Sequence, residues 1–467
     1  MVFSSMMFLL FYLPAVLAVY YLAPNKLKNL VLFVFSLLFY AWGEPVYVGL
    51  MIFSTVLDYT CGLTAERFRG TRKAKIALLV SVVVNLSLLG VFKYAHFLIA
   101  TVNSVFGCAL PLLGLPLPIG ISFYTFQTMS YTIDVYRGDT KAQRNIISFG
   151  AYVSLFPQLI AGPIVRYQTI AEQMDRRTHS SDQFSLGVRR FVCGLAKKVL
   201  LANNIGLLWN TISQTDAANL TLLSAWLGLI AFSFQIYFDF SGYSDMAIGL
   251  GKMFGFDFME NFNYPYISTS IREFWRRWHI SLSTWFREYL YIPLGGNRKG
   301  QVRTYINLLI VFFATGLWHG AGATFIIWGL YHGLFLVVER MGLGKLLEKN
   351  CFRGLNHIYT ALVVVVGWVF FRADTLADAK VILHQMFTWE NGIYPASLFV
   401  NRKVIFLAVL GVLLSGIVQS ICPKLREHLY EKEVTKTVDI VIMAVLLFLC
   451  TMYLVSSTYN PFIYFRF

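Results

Sequence analysis

The sequence predicts an all-α polytopic membrane protein, and this fold class follows from the composition, the length of the apolar stretches and the placement of the charges. Of the 467 residues, 57% are hydrophobic and 13% are charged, and the mean hydropathy is +0.61. An average soluble domain carries about 25% charged residues, so this chain would expose too much apolar surface in water. Spanning segments are expected to be helices, because hydrocarbon offers no partners for backbone groups.

Apolar stretches that are long enough, or nearly so, to cross a hydrocarbon core of about 30 Å recur along the chain. They lie at residues 6–24, 28–43, 46–64, 75–100, 119–136, 146–165, 222–250, 303–319, 322–340, 356–372, 404–421 and 438–456. Some are short or interrupted, so the prediction is roughly eleven transmembrane helices. The first basic residue is Lys26, so the apolar start lacks the basic region of a signal peptide and is expected to remain as a membrane helix.

The segment 111–120 is of a different kind, because it contains three prolines and two glycines and precedes the polar and aromatic run 122–127. Irregular backbone at membrane depth is tolerated where it is buried in protein or lines a water-filled cavity. This segment therefore predicts a broken or re-entrant helix that lines a cavity.

Clusters of basic residues predict which loops face the cytoplasm, because Lys and Arg accumulate on that side. The clusters lie at residues 26–28, 67–75, 340–353 and 424–436. Both termini are therefore expected outside the cytoplasm. The net charge of +15 is attributed to loops beside anionic lipid, and no nucleic-acid partner is expected.

The chain is predicted to form a single membrane domain over residues 1–467, since no soluble domain or internal repeat is visible. Its predicted parts are N-terminal helices (1–118), a core (119–340), C-terminal helices (341–456) and an aromatic tail (457–467). The six cysteines are dispersed without a C-x-x-C pair, which argues against a metal knuckle or a disulfide framework. Nucleotide-binding loops, a G-x-S-x-G elbow and H-E-x-x-H are also missing, so neither a metal nor a nucleotide cofactor is expected.

Residues 268–296 predict one amphipathic helix. Aromatic and aliphatic residues recur there at spacings of three, four and seven, and arginines occupy the opposite face. Ser270 and Glu273 form a capping-box pattern at its start, and the Pro-Leu-Gly-Gly run at 293–296 ends it.

Two histidines are the main candidates for chemistry. His319 lies between two long apolar segments, and an ionisable group at that depth is by default a functional-site hypothesis. The small residues at 316 and 320–322 are expected to leave room beside it. Apolar surroundings would keep its ring neutral and able to accept a proton. The alternative is a buried histidine bonded to a carbonyl group, as is also suggested for His332.

His279 is placed by the same pattern on the flank of the predicted amphipathic helix. There it could reach a protein interior, or it could simply anchor the helix at the lipid interface. Other polar groups interrupt apolar stretches, among them Asp239 and Ser241. They indicate either a wet cavity through the protein or hydrogen bonds between helices.

Several motifs resemble those of the membrane-bound O-acyltransferase family, in particular its bacterial alginate and peptidoglycan O-acetylase branch. The motifs are YAWG at 40–43, FPQLIAGP at 156–163, FDFSGYSD at 238–245, NFNYPY at 261–266, FWRRWHISLSTW at 274–285 and LWHG at 317–320. The resemblance covers nearly the whole chain. It implies a ring of membrane helices, with re-entrant and amphipathic helices, around a central tunnel.

The resemblance also assigns roles to residues. It implies that His319 is catalytic and that His279 is the second functionally important position. The tail PFIYFRF at 461–467 resembles a terminal motif of this branch, which makes Tyr464 a candidate acyl relay; an aromatic belt residue is the alternative. The remaining candidates, expected to bind substrate, are Trp318, Asp239, Ser241, Asn263, Arg276 and Arg287.

The resulting hypothesis is an acyltransferase of the bacterial inner membrane that uses cytoplasmic acetyl-CoA as its donor. A histidine base would deprotonate the acceptor hydroxyl. The acetyl group would pass to an SGNH-type acetyltransferase outside the cytoplasm, which modifies an envelope polysaccharide such as alginate or peptidoglycan. Membrane lipid is the other expected partner, and no cofactor is needed. The alternatives are transfer of D-alanine or of a fatty acyl group, or a transporter or flippase without covalent chemistry, for which inverted repeats would be expected.

Overall fold

A computed structural model describes residues 1–349, 353–389, 392–422, 424, 437–457, 459–461 and 463. Within these ranges the regular elements are helices, and the β-structure consists of an isolated bridge between Leu220 and Tyr394. The prediction of an all-α polytopic membrane protein is confirmed. The implied ring of helices around a central tunnel stays a prediction.

The bounds of the helices are as follows. The α-helices are α1 (Leu13–Leu22), α2 (Lys28–Ala41), α3 (Val48–Arg67), α4 (Arg72–Leu89), α5 (Ala95–Phe106), α6 (Ile121–Arg137), α7 (Ile146–Ser154), α8 (Phe156–Leu159), α9 (Tyr167–Asp175), α10 (Ser181–Ala196), α11 (Asn203–Ser213), α12 (Leu222–Met253), α13 (Ile271–Arg277), α14 (Ile280–Phe286), α15 (Gln301–His319), α16 (Ala323–Val338), α17 (Gly344–Leu347), α18 (Arg353–Arg372), α19 (Leu376–Phe387), α20 (Arg402–Val412), α21 (Val418–Ile421) and α22 (Thr437–Ser456). π-helical turns lie at Phe8–Tyr12, Gly90–Tyr94, Lys197–Ala202, Arg287–Tyr291, Glu339–Leu343 and Leu413–Ile417. Short 3₁₀ turns lie at Asn25–Leu27, Ala217–Asn219, Pro265–Ile267 and Ala396–Leu398.

In the described part of the chain, 8 helical stretches are long and apolar enough to cross a membrane. They are Val48–Arg67, Arg72–Phe106, Ser181–Ser213, Leu222–Met253, Ala323–Leu347, Arg353–Arg372, Arg402–Ile421 and Thr437–Ser456. The predicted spans at 28–43 and 119–136 form helices of 14 and 17 residues, which fall short of that length. The total of roughly eleven spans stays a prediction.

The stretch Ser181–Ser213 was not predicted as a span. Its charged side chains lower its apparent hydropathy, but Arg189 and Lys198 are each 2% exposed and so are buried in the protein. Helices of this kind are hard to detect because hydropathy reports composition and not the direction in which a side chain faces.

The chain divides into two compact units, and the first comprises residues 1–191 and 246–259. Helices α3, α4 and α6 pack together there around the buried carboxylate of Asp58. That carboxylate accepts hydrogen bonds from Ser81, from Asn85 at 2.7 Å and from Thr132 at 3.1 Å. The three donors come from the two neighbouring helices, so the network ties the three helices together by the side-chain bonding that membrane interiors favour.

The second unit comprises residues 192–245 and 260–467 and contains both candidate histidines. Helices α15 and α16 form a tightly packed hairpin, and α16 also packs on α18. A Cβ atom at Gly329 would collide with the carbonyl oxygen of Phe312, so glycine is what permits this close approach of the two backbones. The domain boundaries predicted from the sequence stay a prediction.

Two predicted elements differ from the structure. The segment 107–118 is non-helical, and α6 begins only at Ile121. The prediction of a re-entrant helix over 111–120 is therefore wrong, and the alternative of a broken helix holds only as an interruption between α5 and α6; that the segment lines a cavity stays a prediction. Its prolines remove amide donors that a helix needs.

The prediction of one amphipathic helix over 268–296 is also wrong, because the backbone of His279 is left-handed, with a φ of 45°. The break separates α13 from α14. It is stabilised by backbone hydrogen bonds to the loop before α13: Asn263 N donates to Arg277 O and Ile280 N donates to Asn261 O, each at 2.9 Å. Ser270 is the N-cap of α13 as predicted, and its Oγ accepts from Glu273 N at 3.1 Å. The predicted capping box is incomplete, because the Glu273 carboxylate accepts from the backbone N–H of Thr269 and not from that of Ser270.

Candidate functional site

His319 is the last residue of α15, and its side chain is 4% exposed. The glycines around it allow the turn into α16 to be tight: Cβ atoms at Gly316 and Gly320 would collide with the backbone and the ring of Phe325. Phe325 occupies the space at these two glycines, and the expected room beside the histidine itself stays a prediction.

Aromatic rings enclose His319. Its ring centroid lies 5.0 Å from that of Trp328, 5.2 Å from that of Phe371 and 4.9 Å from that of Trp318, all in edge-to-face arrangements. Such packing restricts rotation of the imidazole and excludes bulk water from it. A histidine held in this way is suited to proton transfer to or from a single bound group.

His279 is fully buried, because the left-handed turn directs it into the second unit instead of leaving it on a lipid-facing flank. Its Nδ1 lies 3.2 Å from Oδ1 of Asn261. The same oxygen accepts from the backbone N–H of Ser281 at 3.2 Å and from its hydroxyl at 2.8 Å. A backbone N–H can only donate, so the atom at this position is the amide oxygen and Nδ1 of His279 carries the proton.

This tautomer leaves Nε2 of His279 with a free lone pair. Nε2 is buried and has no hydrogen-bond partner among the described residues. It is therefore the atom through which His279 can accept a proton or a hydrogen bond from a bound group.

Asn261 is a site residue that was not singled out from the sequence. It is 0% exposed, and it contacts the His279 segment through its backbone as well as its side chain. Asn261 is the first residue of the NFNYPY motif, and this motif was the feature of the sequence that could have indicated it. Asn263 is half-buried, and its carbonyl oxygen accepts a hydrogen bond from Arg277 at 3.0 Å; its predicted binding of substrate stays a prediction.

Trp318 connects the two histidines. It is 4% exposed, and its ring centroid lies 5.9 Å from that of His279 and 4.9 Å from that of His319. The structure therefore brings the two candidates from distant motifs into one aromatic cluster, with the predicted Trp318 between them.

A cavity of about 300 Å³ opens beside this cluster within the second unit. Four arginines line it together with mostly apolar side chains, and two of them, Arg276 and Arg287, were predicted to bind substrate. The other lining residues are Arg272, Trp275, Leu282, Ser283, Phe286, Tyr291, Leu308, Val311, Phe312, Thr315, Leu336, Glu339 and Arg340. This combination can hold a molecule with an anionic part and an apolar part.

The cavity follows the face of α15 that ends at His319. Leu308, Phe312 and Thr315 line it at helical spacing, and His319 lies one turn after Thr315. Among the lining residues, Trp275 packs against Trp328 with a centroid distance of 5.6 Å, and Trp328 contacts His319. One aromatic ring therefore separates the cavity lining from the imidazole.

Asp239 and Ser241 are buried in α12, each 2% exposed. Asp239 forms an ion pair with Lys198, with an Nζ to Oδ1 distance of 2.6 Å, and its Oδ2 accepts from the backbone N–H of Ile463 at 3.0 Å. Ser241 Oγ has no hydrogen-bond partner among the described residues. Substrate binding by these two residues stays a prediction.

Tyr464 lies outside the described residues, so its role as an acyl relay stays a prediction. A metal centre has no candidate either: the described residues contain no group of three or more His, Cys, Asp or Glu that could hold an ion.

Comparisons with known proteins agree with the motifs. The model of the MBOAT, membrane-bound O-acyltransferase family, matches residues 3–377. A "Probable alginate O-acetylase AlgI" of Pseudomonas syringae pv. tomato is 49% identical over 401 residues, which cover 84% of this chain and 76% of the relative. The protein of the same name from Pseudomonas aeruginosa is 49% identical over 399 residues, with the same shares covered. A "Peptidoglycan O-acetyltransferase" of Helicobacter pylori is 33% identical, with 100% of this chain and 98% of the relative covered.

Proposed function

This chain belongs to the membrane-bound O-acyltransferase family and is a multi-pass membrane acyltransferase, and we propose that it transfers an acetyl group from cytoplasmic acetyl-CoA across the membrane. The acetyl group is destined for O-acetylation of an extracytoplasmic polysaccharide. The names of the relatives, which refer to alginate and to peptidoglycan, support an envelope polysaccharide as the acceptor.

The position of His319 is the observation that carries this proposal. The histidine lies one aromatic ring away from a cavity that combines arginines with apolar side chains. Acetyl-CoA has phosphates that arginine binds and a pantetheine arm that can follow an apolar channel. Binding of the phosphates by Arg276 and Arg287 would leave the thioester directed along α15 toward the imidazole.

His319 acts in this scheme as the general base. It takes the proton of the acceptor hydroxyl while the hydroxyl oxygen attacks the thioester carbonyl carbon. The new C–O bond forms, the C–S bond breaks, and the thiolate of CoA leaves and takes up the proton from the His319 imidazolium, which restores the base. His279, whose Nε2 is free to accept a hydrogen bond, accepts one from an amide N–H of the pantetheine arm and so orients the thioester.

The proposed first acceptor is Tyr464, whose hydroxyl becomes a nucleophile once a base removes its proton. An SGNH-type acetyltransferase outside the cytoplasm then receives the acetyl group and modifies the polysaccharide. This arrangement requires the C-terminal tail on the extracytoplasmic side of a bacterial inner membrane, and the proposed topology places the N-terminus on the same side. The basic clusters support that orientation.

The test is intact-mass analysis of the purified protein after incubation with isotopically labelled acetyl-CoA. The native chain should gain one acetyl group, and His319→Ala and Tyr464→Phe should gain none. Free CoA without label on any of the three proteins would mean direct transfer or hydrolysis and would overturn the relay. The absence of both label and CoA release would overturn acetyl-CoA as the donor. A panel of D-alanyl and fatty acyl thioesters would then be compared.

A further inference from the structure

We propose that the buried ion pair between Lys198 and Asp239 is a docking site for the C-terminal tail of the same chain, which it holds through the main chain of the tail. The pair joins the π-helical turn Lys197–Ala202 to α12, and both side chains are 2% exposed. Two residues of the tail, Pro461 and Ile463, add hydrogen bonds to the pair.

A buried ion pair needs more than its own attraction. Removing two charges from water is costly, and the cost is offset only when further hydrogen bonds satisfy the remaining donors and acceptors. Lys198 has three N–H donors and Asp239 has two acceptor oxygens. One contact between Nζ and Oδ1 therefore leaves capacity on both partners.

The tail supplies two of the missing partners. The Lys198 ammonium donates to the carbonyl oxygen of Pro461, and the backbone N–H of Ile463 donates to Oδ2 of Asp239 at 3.0 Å. The carbonyl oxygen of Pro461 is an acceptor and faces the Lys198 ammonium, whereas the N–H of Ile463 is a donor and faces the Asp239 carboxylate. The two groups are two residues apart in the tail. A third bond, from Asn203 Nδ2 to Asn460 Oδ1 at 3.2 Å, fixes the tail just before this segment.

Recognition through the main chain has a specific consequence. The carbonyl oxygen of residue 461 and the N–H of residue 463 are present for almost any side chain, so docking should tolerate side-chain changes at position 463. It should not tolerate proline there, because proline has no N–H. Nor should it tolerate loss of the charge on Asp239, since hydrogen bonds to charged groups are the stronger ones.

Docking of Pro461 and Ile463 also bears on the proposed acyl relay, because Tyr464 directly follows Ile463 in the chain. This catalytic consequence rests on the proposed function, whereas the docking itself does not. Lys198 and Asp239 are thus positioning residues, which act through the tail and need not touch the substrate.

The test is hydrogen–deuterium exchange, read by mass spectrometry on the peptide that covers residues 457–467, with the full-length protein in lipid nanodiscs. The tail peptide should be protected in the native protein. Ile463→Pro should lower the protection of the remaining tail amides about tenfold or more, because a hydrogen bond to a carboxylate is lost. Ile463→Ala keeps the N–H and should exchange like the native protein.

A second pair of variants tests the other partner. Asp239→Asn should also lose protection of the tail. Asp245→Asn is the matched control, because Asp245 pairs with Lys197 at 2.5 Å between the same turn and the same helix. It should leave the tail protected.

Two results would overturn the docking site: a native tail that exchanges as fast as an unstructured peptide, or equal protection in Ile463→Pro and Ile463→Ala. If Asp239→Asn does not fold, the comparison of Ile463→Pro with Ile463→Ala still tests the docking site, since both of these variants keep the ion pair between Lys198 and Asp239. Exchange measures docking without any turnover, so failure here is distinguishable from failure to acetylate.

Discussion

His279 and Asn261 form a buried pair in which Nδ1 of the histidine lies 3.2 Å from the amide oxygen of the asparagine. Because this oxygen also accepts both donors of Ser281, its identity is fixed and so is the tautomer of His279. The imidazole therefore presents Nε2, and not an N–H, to the remainder of the site.

Removing the amide oxygen should reduce the turnover of the enzyme. In Asn261→Ala, His279 loses the partner that fixes its tautomer, and kcat for acetyl transfer should fall by about 10- to 100-fold with little change in KM. Asn261→Asp keeps an acceptor oxygen and should retain more of the activity. Steady-state kinetics of both variants check this, and equal kcat values in Asn261→Ala and the native protein would contradict the orienting role.

The two histidines that contact Trp328 should differ in their importance. His319→Gln should lower kcat by about 10²- to 10⁴-fold, the range typical of a lost general base. His332 is also buried, and its ring lies 5.3 Å from that of Trp328. His332→Gln should affect stability more than turnover. Release of CoA per folded molecule is the measurement, and comparable losses of turnover in both variants would argue that packing, not base catalysis, explains the effect.

The arginines of the cavity should control affinity for the donor. Arg276→Gln removes one exposed guanidinium from the lining, and KM for acetyl-CoA should rise roughly three- to tenfold while kcat changes little. The effect should weaken at high salt, because salt screens exposed charges. Arg402→Gln, an exposed arginine at the start of α20 and outside the cavity lining, is the matched control. An unchanged KM in Arg276→Gln would place the donor elsewhere.

The close contact of α15 with α16 should be sensitive to one methyl group. Gly329→Ala would force a Cβ atom against the carbonyl oxygen of Phe312 and should cost about 1–3 kcal/mol of stability. At Gly354, near the start of α18, a Cβ atom would meet nothing within 4 Å. Gly354→Ala should be neutral or slightly stabilising, because alanine is the better helix former. Thermal unfolding in detergent compares the two, and equal melting temperatures would contradict the tight interface.

Much of the site was visible in the sequence, because its residues are unusual for their surroundings. His319 and Trp318 follow a long apolar stretch, and Arg276 and Arg287 belong to a segment rich in arginine and aromatic residues. The structure places all four in or beside one cluster. Local patterns could identify such residues since each stands out against its immediate neighbours.

The pairings between distant residues were not visible. Asn261 lies 18 residues before His279, and Asp239 lies 224 residues before Ile463. Nothing local indicates that these atoms meet. The left-handed turn at His279 was hidden for the same reason: it depends on backbone bonds to the 261–263 loop, whereas helical periodicity continues through it.

The sequence by itself determined that this protein is helical and spans a membrane several times, because hydrophobicity and helix formation depend on residues close together in the chain. It also determined its family, through motifs that are each contiguous. Only the tertiary structure decided which nitrogen of His279 is free and which residues hold the tail. Those properties depend on distances of about 3 Å between atoms far apart in the chain, and such distances exist only after the helices have packed.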